Sequence, residues 1–527
     1  MTAPLGHREC PRCPAWLGPA LILVLAGVWR CLGITTTEVW RDEAITILHT
    51  RAGWADLLLN LARIEDSPPL GFLLFKLWSL ISTAEVGFRL FSVLCGVLAV
   101  AVCMRTAQRI RPGAGWSTGL LASLSQVPVH YSQEIRVYSL LFLLTALCFW
   151  TAERMLAAPT ERRWPILLAV LAAACAHLHA VGLFVLPMVG VYLLACGGRG
   201  IVRRSLLLPT AVWLALIAPM IWFALHWSHI HRHREEWWIP APDLAWWTYY
   251  AQQFFGLAPV VHWVNQAAIA RQWVGFIVER LTIAALATIL LLAILDRRTR
   301  GVALALALAA ATFLAALAIT SWLSLPNVLD RTLLPAWCPI VLLLGVAIRA
   351  ALDRHRAIGC AALGIVLVVW SAGWAWTVYG GGPRRSPNEA AFAWIHDRLG
   401  SNDLVVSSPI WFEDLSVYRL GDRLPGEHFL SVGNPVYAGS PPRHLPEPRL
   451  PDPSWRERMR ERLDAHRRVH GLDYNVWIVS FGGPVAEGEP DSPADIIARD
   501  HQLTDTFIPT DRRATSVVLY RPIPRAE

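Results

Sequence analysis

Eleven stretches of this chain are apolar for about the length a bilayer crossing needs, roughly 20 residues, or somewhat fewer where flanking side chains snorkel. They centre on residues 15–34, 88–108, 116–131, 137–153, 164–178, 181–197, 206–226, 275–295, 301–323, 332–350 and 358–378. Inside hydrocarbon each segment must satisfy its own backbone hydrogen bonds, so the expectation is an α-helical polytopic membrane protein. Composition agrees: of 527 residues, 55% are hydrophobic and 16% charged, which excludes a string of soluble domains. A further apolar stretch, Pro69 to Ser82, is short and holds Lys76. It reads as a helix lying on the outer surface rather than a crossing.

Arginines set the orientation, because cytosolic loops keep the Lys/Arg excess. They gather at Arg105/Arg109/Arg111, Arg154/Arg162/Arg163, Arg199/Arg203/Arg204, Arg297/Arg298/Arg300 and Arg349/Arg354/Arg356, all on one side if there are eleven crossings. Most acids, Glu38, Asp42, Glu43, Glu85, Glu134 and Asp330 among them, fall on the other side. The N-terminus is then cytosolic and the C-terminal tail extracytosolic. Arg8 and Arg12 precede the first apolar run, which lacks a convincing small-residue cleavage site and reads as a first span rather than a secretory signal.

Charge divides the chain. Residues 1–379 carry 29 basic and 18 acidic groups, a balance of +11, whereas 380–527 carry 18 and 21, a balance of −3. Lys76 is the sole lysine among 47 basic residues, a usage that suggests a G+C-rich, bacterial genome rather than a basic nucleic-acid-binding stripe. Eight of the ten cysteines lie in or beside apolar runs and none follows Cys360, so there is no disulfide framework. Cys10 and Cys13 form a lone CxxC, a weak zinc signal in a reduced tail.

Past residue 379 the chain reads as a small α/β domain over 380–527. Ser386-Pro387-Asn388-Glu389 has capping-box spacing and opens an amphipathic helix. Strands are expected at Leu404–Ser407, Val476–Ser480 and Ser516–Tyr520, a helix at 454–470, and a Pro-rich loop at 434–453.

Charges placed where helices emerge are the candidates for chemistry. They are Trp40-Arg41-Asp42-Glu43, the Pro68-Pro69-Leu70 segment with Lys76 and Arg89, Gln133-Glu134-Ile135-Arg136-Val137-Tyr138, and Asp330-Arg331. With Asp42-Glu43-Ala44, Ser132 to Tyr138 and Arg331-x-x-Leu334-Pro335, the set resembles the bacterial C-class (GT-C) membrane glycosyltransferases of family 39, related to dolichyl-phosphate-mannose protein mannosyltransferases. The resemblance runs in order over roughly the first 420 residues, and each piece alone is weak.

That resemblance implies a transmembrane glycosyltransferase domain over 1–379, with catalytic outer loops at 35–87, 131–137 and 227–274. The donor would be a polyprenyl-phosphate-linked sugar and the acceptor a cell-envelope glycan, lipid or protein, joined on the outer face of the cytoplasmic membrane among its lipids, with no nucleic acid involved. An acceptor hydroxyl needs a carboxylate to take its proton, and Asp42, Glu43 and Glu134 are the catalytic candidates, with Asp42 as base. Arg331, Arg89, Arg136 and Lys76 are candidates to stabilise the departing lipid phosphate. Gln133, Tyr138 and Trp40 are candidate acceptor or sugar contacts. Glu134 could instead orient Asp42 or hold a divalent cation; no resident metal or other cofactor is assigned.

Structural readings stand beside these: Asp42 and Glu43 as surface acids near Arg41, Glu134 paired with Arg136, Arg331 as an interfacial anchor. His226, His229, His231 and His233 with Glu235 and Glu236 could bind a metal, but crowded loop histidines lack a defined geometry until the fold orders them. Trp237, Trp238, Trp246 and Trp247 suit an aromatic belt, and His177 and His179 suit satisfaction by neighbouring helices. Protein O-mannosyl transfer, transport or flipping, and a non-catalytic envelope scaffold remain alternative functions.

Overall fold

Helix ends fall where the charged loops mark them. The computed structural model describes residues 16–63, 67–230, 239, 241–255, 257, 269–323, 326–379, 388–408, 413–425, 428–431, 454–471, 473–481, 493–498, 501–507 and 515–523. In chain order the first helices are α1 Leu17–Cys31, α2 Arg41–Arg51, α3 Trp54–Arg63, α4 Leu70–Trp78, α5 Glu85–Ile110, α6 Ala114–Leu124, α7 Gln126–Tyr131, α8 Tyr138–Ala157 and α9 Arg163–Leu178. After a 3-10 turn at Ala180–Phe184 come α10 Val185–Ile230, α11 Leu244–Phe254, α12 Ile269–Leu295, α13 Arg300–Leu323, α14 Asp330–Arg354 and α15 Arg356–Tyr379.

Seven helices among the described residues are long and apolar enough to cross a membrane, with shorter apolar helices at Leu17–Cys31, Arg163–Leu178 and Leu207–Trp222. The remaining expected crossing, 116–131, is split into α6 and α7. Pro128 lacks the N–H that an unbroken helix would donate to Leu124, and its ring would crowd that carbonyl; α6 stops at Leu124. The stretch 69–82 forms the short α4 and is no crossing, as expected, while α2 and α3 are helices the sequence reading did not foresee.

Helical backbone runs through 181–197 and 206–226 without an assigned break, and α10 drawn as one rod would be about 69 Å long. It is not one rod. The Tyr192 hydroxyl donates to Glu153 Oε1 at 2.6 Å, near the end of α8, whereas His177 Nε2 at the opposite end of α9 lies 3.0 Å from the Leu216 carbonyl. Ile217 packs with Ala173, Ala176 and Leu183. Leu183 and Ile217 would be tens of ångströms apart on a straight helix, so the run reverses between Tyr192 and Trp213 and supplies two antiparallel limbs. Both apolar stretches, 181–197 and 206–226, thus have a limb of their own.

The opposite ends of the bundle carry different charges. At one end Arg111 pairs with Asp296 at 2.6 Å and Asp353 at 2.8 Å, and Arg349 pairs with Asp353 at 2.5 Å. At the other end Asp42, Glu134 and Arg331 come together, next to the tail.

The tail contains α16 Glu389–His396, β1 Leu404–Ser408, α17 Glu413–Leu420, β2 Phe429–Ser431, α18 Ser454–His470, β3 Val476–Phe481, α19 Pro493–Ile497, β4 His501–Phe507 and β5 Thr515–Pro522. Its sheet has the order β2-β1-β3-β5-β4, with β1 parallel to β2 and β3, and β5 antiparallel to β3 and β4. Strand alternation splits the residues between two cores. Leu404, Val406, Val476 and Ile478 face Met459 of α18 and Ile497 of α19. Val405, Trp477, Val479 and Leu519 share a core with Phe392 and Ile395 of α16, and that core continues into Val39, Ala44, Ile47, Phe75, Phe88 and Ile135 of the membrane part.

Ser386 of the expected capping box lies outside the described residues; the amides of Asn388 and Glu389 donate to Glu38 Oε2, at 2.7 and 3.2 Å. Burial pushes the Glu38 carboxyl up, against the pull of those two N–H groups. Cys10 and Cys13, the side chains from His226 to Glu236, Trp237, Trp238 and the loop 434–453 also lie outside the described residues.

Candidate active site

The neighbouring acids at the start of α2 have different surroundings. Asp42 is 18% exposed and Arg331 19%, whereas Glu43 is 0% and Arg89 1%.

Glu43 is the centre of a buried joint. Oε2 accepts from the Trp40 amide at 3.2 Å, closing the first turn of α2, and Oε1 accepts from the Ile135 amide at 2.9 Å, tying that turn to the 132–137 segment. Arg89 of α5 lies 3.6 Å from Oε2 and donates to the Ile34 carbonyl at 2.6 Å. A buried carboxylate is tolerable only with such company. Ser92, one turn along α5, donates to the Glu134 carbonyl at 2.5 Å.

Gln133 serves the same joint, its side-chain amide donating to the Arg30 and Leu32 carbonyls at 2.8 and 2.7 Å, where α1 leaves its last carbonyls unpaired. Arg30 is fully buried. Its guanidinium reaches Ser132 Oγ at 3.1 Å and the Ala26, Ser123 and Ala122 carbonyls at 3.2, 3.2 and 3.0 Å. Gly96 is needed here, since a Cβ would come within 2.3 Å of Ser132 Oγ and 2.7 Å of Arg30 Nε. Sequence reading missed Arg30: a lone arginine ending an apolar run looks like a snorkelling anchor, and this one turns inward.

Above the joint lies a more open set. Arg331, in the first turn of α14, holds its Nη1 3.6 Å from Asp42 Oδ2 and its guanidinium 5.7 Å from the centre of the Trp40 ring. Arg136 donates to the Asp42 carbonyl at 3.3 Å and to Thr46 Oγ1 at 3.2 Å, with Phe72 at 5.8 Å from its guanidinium. Glu134 Oε1 lies 3.4 Å from Nε2 of the partly exposed His130 of α7, a partner signalled only by its place four residues earlier in the sequence. Tyr138 is buried edge-on to Tyr131, with ring centres 5.0 Å apart, and tilted toward His179 at 5.9 Å. Both tyrosines lie within electrostatic range of Arg331.

Of the cations expected at a lipid phosphate, Arg331 and Arg136 therefore flank Asp42, and two do not. Arg89 is enclosed with Glu43. Lys76 donates to the Thr50 and Ala52 carbonyls at 2.7 and 2.6 Å, where a cation complements the C-terminal end of α2. Glu43 and Gln133 likewise sit in the joint rather than in the open set.

The tail closes over the outside of α2. Arg41 Nε lies 3.0 Å from Asp414 Oδ2, Arg51 stacks 5.1 Å over the Tyr418 ring, and the Tyr418 hydroxyl bonds to Glu85. Trp246 of α11 donates its indole N–H to the Val328 carbonyl at 2.8 Å, bracing the segment just before Arg331.

Residues 66–223 match the family of dolichyl-phosphate-mannose-protein mannosyltransferases, a stretch that holds Arg89, Glu134 and Arg136 but neither Asp42 nor Arg331. ArnT from Cupriavidus metallidurans, both apo and bound to undecaprenyl phosphate, superposes with a TM-score of 0.58 at 15% identity over 96% of this chain and 97% of that one. The Archaeoglobus fulgidus oligosaccharyltransferase superposes with a TM-score of 0.53 at 11% identity over 88% of this chain and 68% of that one. No curated protein sequence matches. The resemblance read from the sequence holds at the level of fold.

Proposed function

We propose that this chain, a multi-pass membrane protein with the C-class membrane glycosyltransferase fold, transfers a sugar from a polyprenyl phosphate to a hydroxyl of a cell-envelope glycan or lipid. The single observation carrying the proposal is Asp42 facing Arg331 across 3.6 Å, with Arg136 on the same turn of α2. The acceptor oxygen attacks the anomeric carbon as the bond from that carbon to the phosphate oxygen breaks. Asp42 takes the hydroxyl proton, and the electron pair leaves with the lipid phosphate. Arg331 and Arg136 stabilise the charge that grows there more than they stabilise the ground state.

Glu43, Arg89, Gln133 and Lys76 act by holding α2 and the 132–137 segment in register, so they are positioning residues. Glu134 with His130 borders the site and suits acceptor binding or the orientation of Asp42. Tyr138 and Trp40 shape its wall. The arginine-rich end of the bundle faces the cytosol, which makes the N-terminus cytosolic and the 380–527 domain extracytosolic, in the cytoplasmic membrane of a bacterium. Domain limits of 1–379 and 380–527 fit the change in composition at that point.

A protein hydroxyl as acceptor is the second reading, favoured by the mannosyltransferase family matched at 66–223. The deciding assay incubates the purified full chain with polyprenyl-phosphate sugars and follows release of lipid phosphate. Release by wild type that Asp42→Asn lacks is expected. Wild-type rates in Asp42→Asn would remove Asp42 from the chemistry.

A further inference from the structure

Away from this site, three histidines of the tail converge between the sheet edge and α18. His466 and His470 are i,i+4 on α18 and so lie on one face of that helix, and His428 immediately precedes β2. One ring nitrogen from each lies within 4.8 Å of the other two, and His428 and His466 are buried. Ring centres are 4.9 Å apart for His428–His466, 5.1 Å for His428–His470 and 4.4 Å for His466–His470.

Two of the rings are fixed by backbone carbonyls. His428 Nδ1 lies 2.9 Å from the Asp403 carbonyl and His466 Nε2 lies 2.7 Å from the Asn402 carbonyl. A carbonyl can only accept, so each of these nitrogens carries the proton, and the lone pairs are left on His428 Nε2 and His466 Nδ1. Metal-ligating histidines take this arrangement, one nitrogen toward the ion and the other held by a second partner. One of these partners is itself held: the Asp403 carboxylate accepts from the Gly400 amide, the Asn475 amide and side chain, and the Trp477 indole, at 2.9, 2.9, 2.9 and 2.7 Å.

We propose that His428, His466 and His470 bind a divalent transition metal ion, Zn2+, through three imidazole nitrogens, with a fourth position open to water or an exchangeable ligand. Tetrahedral zinc with bonds of about 2.0–2.1 Å to nitrogen sets its ligand atoms about 3.4 Å apart, so the triad must tighten by roughly an ångström, within reach of side-chain rotation. Three neutral imidazoles suit this ion chemically. His428 and His466 are about forty residues apart in sequence, so the ion would clip α18 to the sheet edge across a long connection, where closure by a crosslink gains most. The site is independent of sugar transfer, and its failure would leave the Asp42 proposal untouched.

The test uses the full chain, purified with a histidine-free tag, stripped with chelator, given Zn2+ alone and then freed of excess. Bound zinc is measured by mass spectrometry for wild type and for His470→Gln, the mildest change because His470 is half-buried. Cys10, Cys13 and the 226–233 histidines could also take metal, so the quantity read is the difference, expected to be one equivalent. A Cys10→Ser/Cys13→Ser variant should keep that equivalent, X-ray absorption should show nitrogen neighbours, and added zinc should raise the Tm of wild type but not of His470→Gln. Equal zinc content in the two proteins, or no zinc held by wild type, overturns the site.

Discussion

The buried joint and the open set above it are built from the same residue types, a carboxylate beside an arginine, and adjacent residues of one helical turn supply the two acids. In the joint Glu43 accepts from two backbone amides and faces Arg89, which makes it a fixture. Above it, Asp42 and Arg331 approach to the same 3.6 Å as Glu43 and Arg89 but keep part of their surface exposed, which leaves them able to meet a ligand. Stability and chemistry are thus separated by about one residue of rotation around α2.

The largest expected difference is between Asp42→Asn and Glu43→Gln. The first should reduce lipid-phosphate release by about 10³-fold at unchanged abundance and Tm, in the range general-base loss produces. The second should deplete folded protein, since breaking one side of a buried ion pair costs about 3–5 kcal/mol. A Glu43→Gln protein that is stable yet inactive would erase the distinction. Arg331→Gln against Arg89→Gln repeats the comparison for the cations: a loss of about 10²-fold in kcat/KM with normal melting for Arg331, in line with removal of a preorganised charge partner, and lower melting for Arg89. Equal melting of both would break it.

Arg30→Met should lower stability by about 1–3 kcal/mol, because Ser132 and three carbonyls lose their donor, and transfer should fall only as far as the 132–137 segment loosens. Unchanged thermal unfolding would show the network to be dispensable. Glu38→Ala should cost about 1 kcal/mol, the size of a lost helix cap, seen as earlier melting of the tail. The smallest effect lies at the arginine-rich end, where the Thr299 hydroxyl, more than the Arg298 amide or Arg111, holds the Asp296 carboxyl below its ordinary range. A depressed carboxylate contributes stability above its unfolded pKa and loses it as pH falls through the folded one. Wild type should therefore lose slightly more Tm than Asp296→Asn below about pH 4, a difference read from paired melting curves.

Spans were legible because hydrocarbon leaves a long uninterrupted signature; even the pair at 181–197 and 206–226 could be counted, although the helical backbone continues between them. Helices α2 and α3 were not, being short and judged by their charges. β1, β3, β5 and α18 follow from apolar alternation and composition, whereas β2 has three residues and β4, mostly exposed, reads as polar loop. The sequence brought the right segments into the site but could not say which charges face outward, since that depends on partners such as Ile34, Thr50 and Ile135 that carry no chemical signal. The histidine triad was invisible for the same reason: His428 lies about forty residues before the His466/His470 pair of α18, while the crowded 226–233 run drew the eye.

The reversal within α10 has a cost that falls far from where it occurs. If residues 185–230 were instead to insert as a single rod, every later segment would be threaded upside down. Arg331 would then sit about 30 Å from Asp42, on the wrong side of the hydrocarbon. A hairpin that touches neither residue decides whether they ever meet.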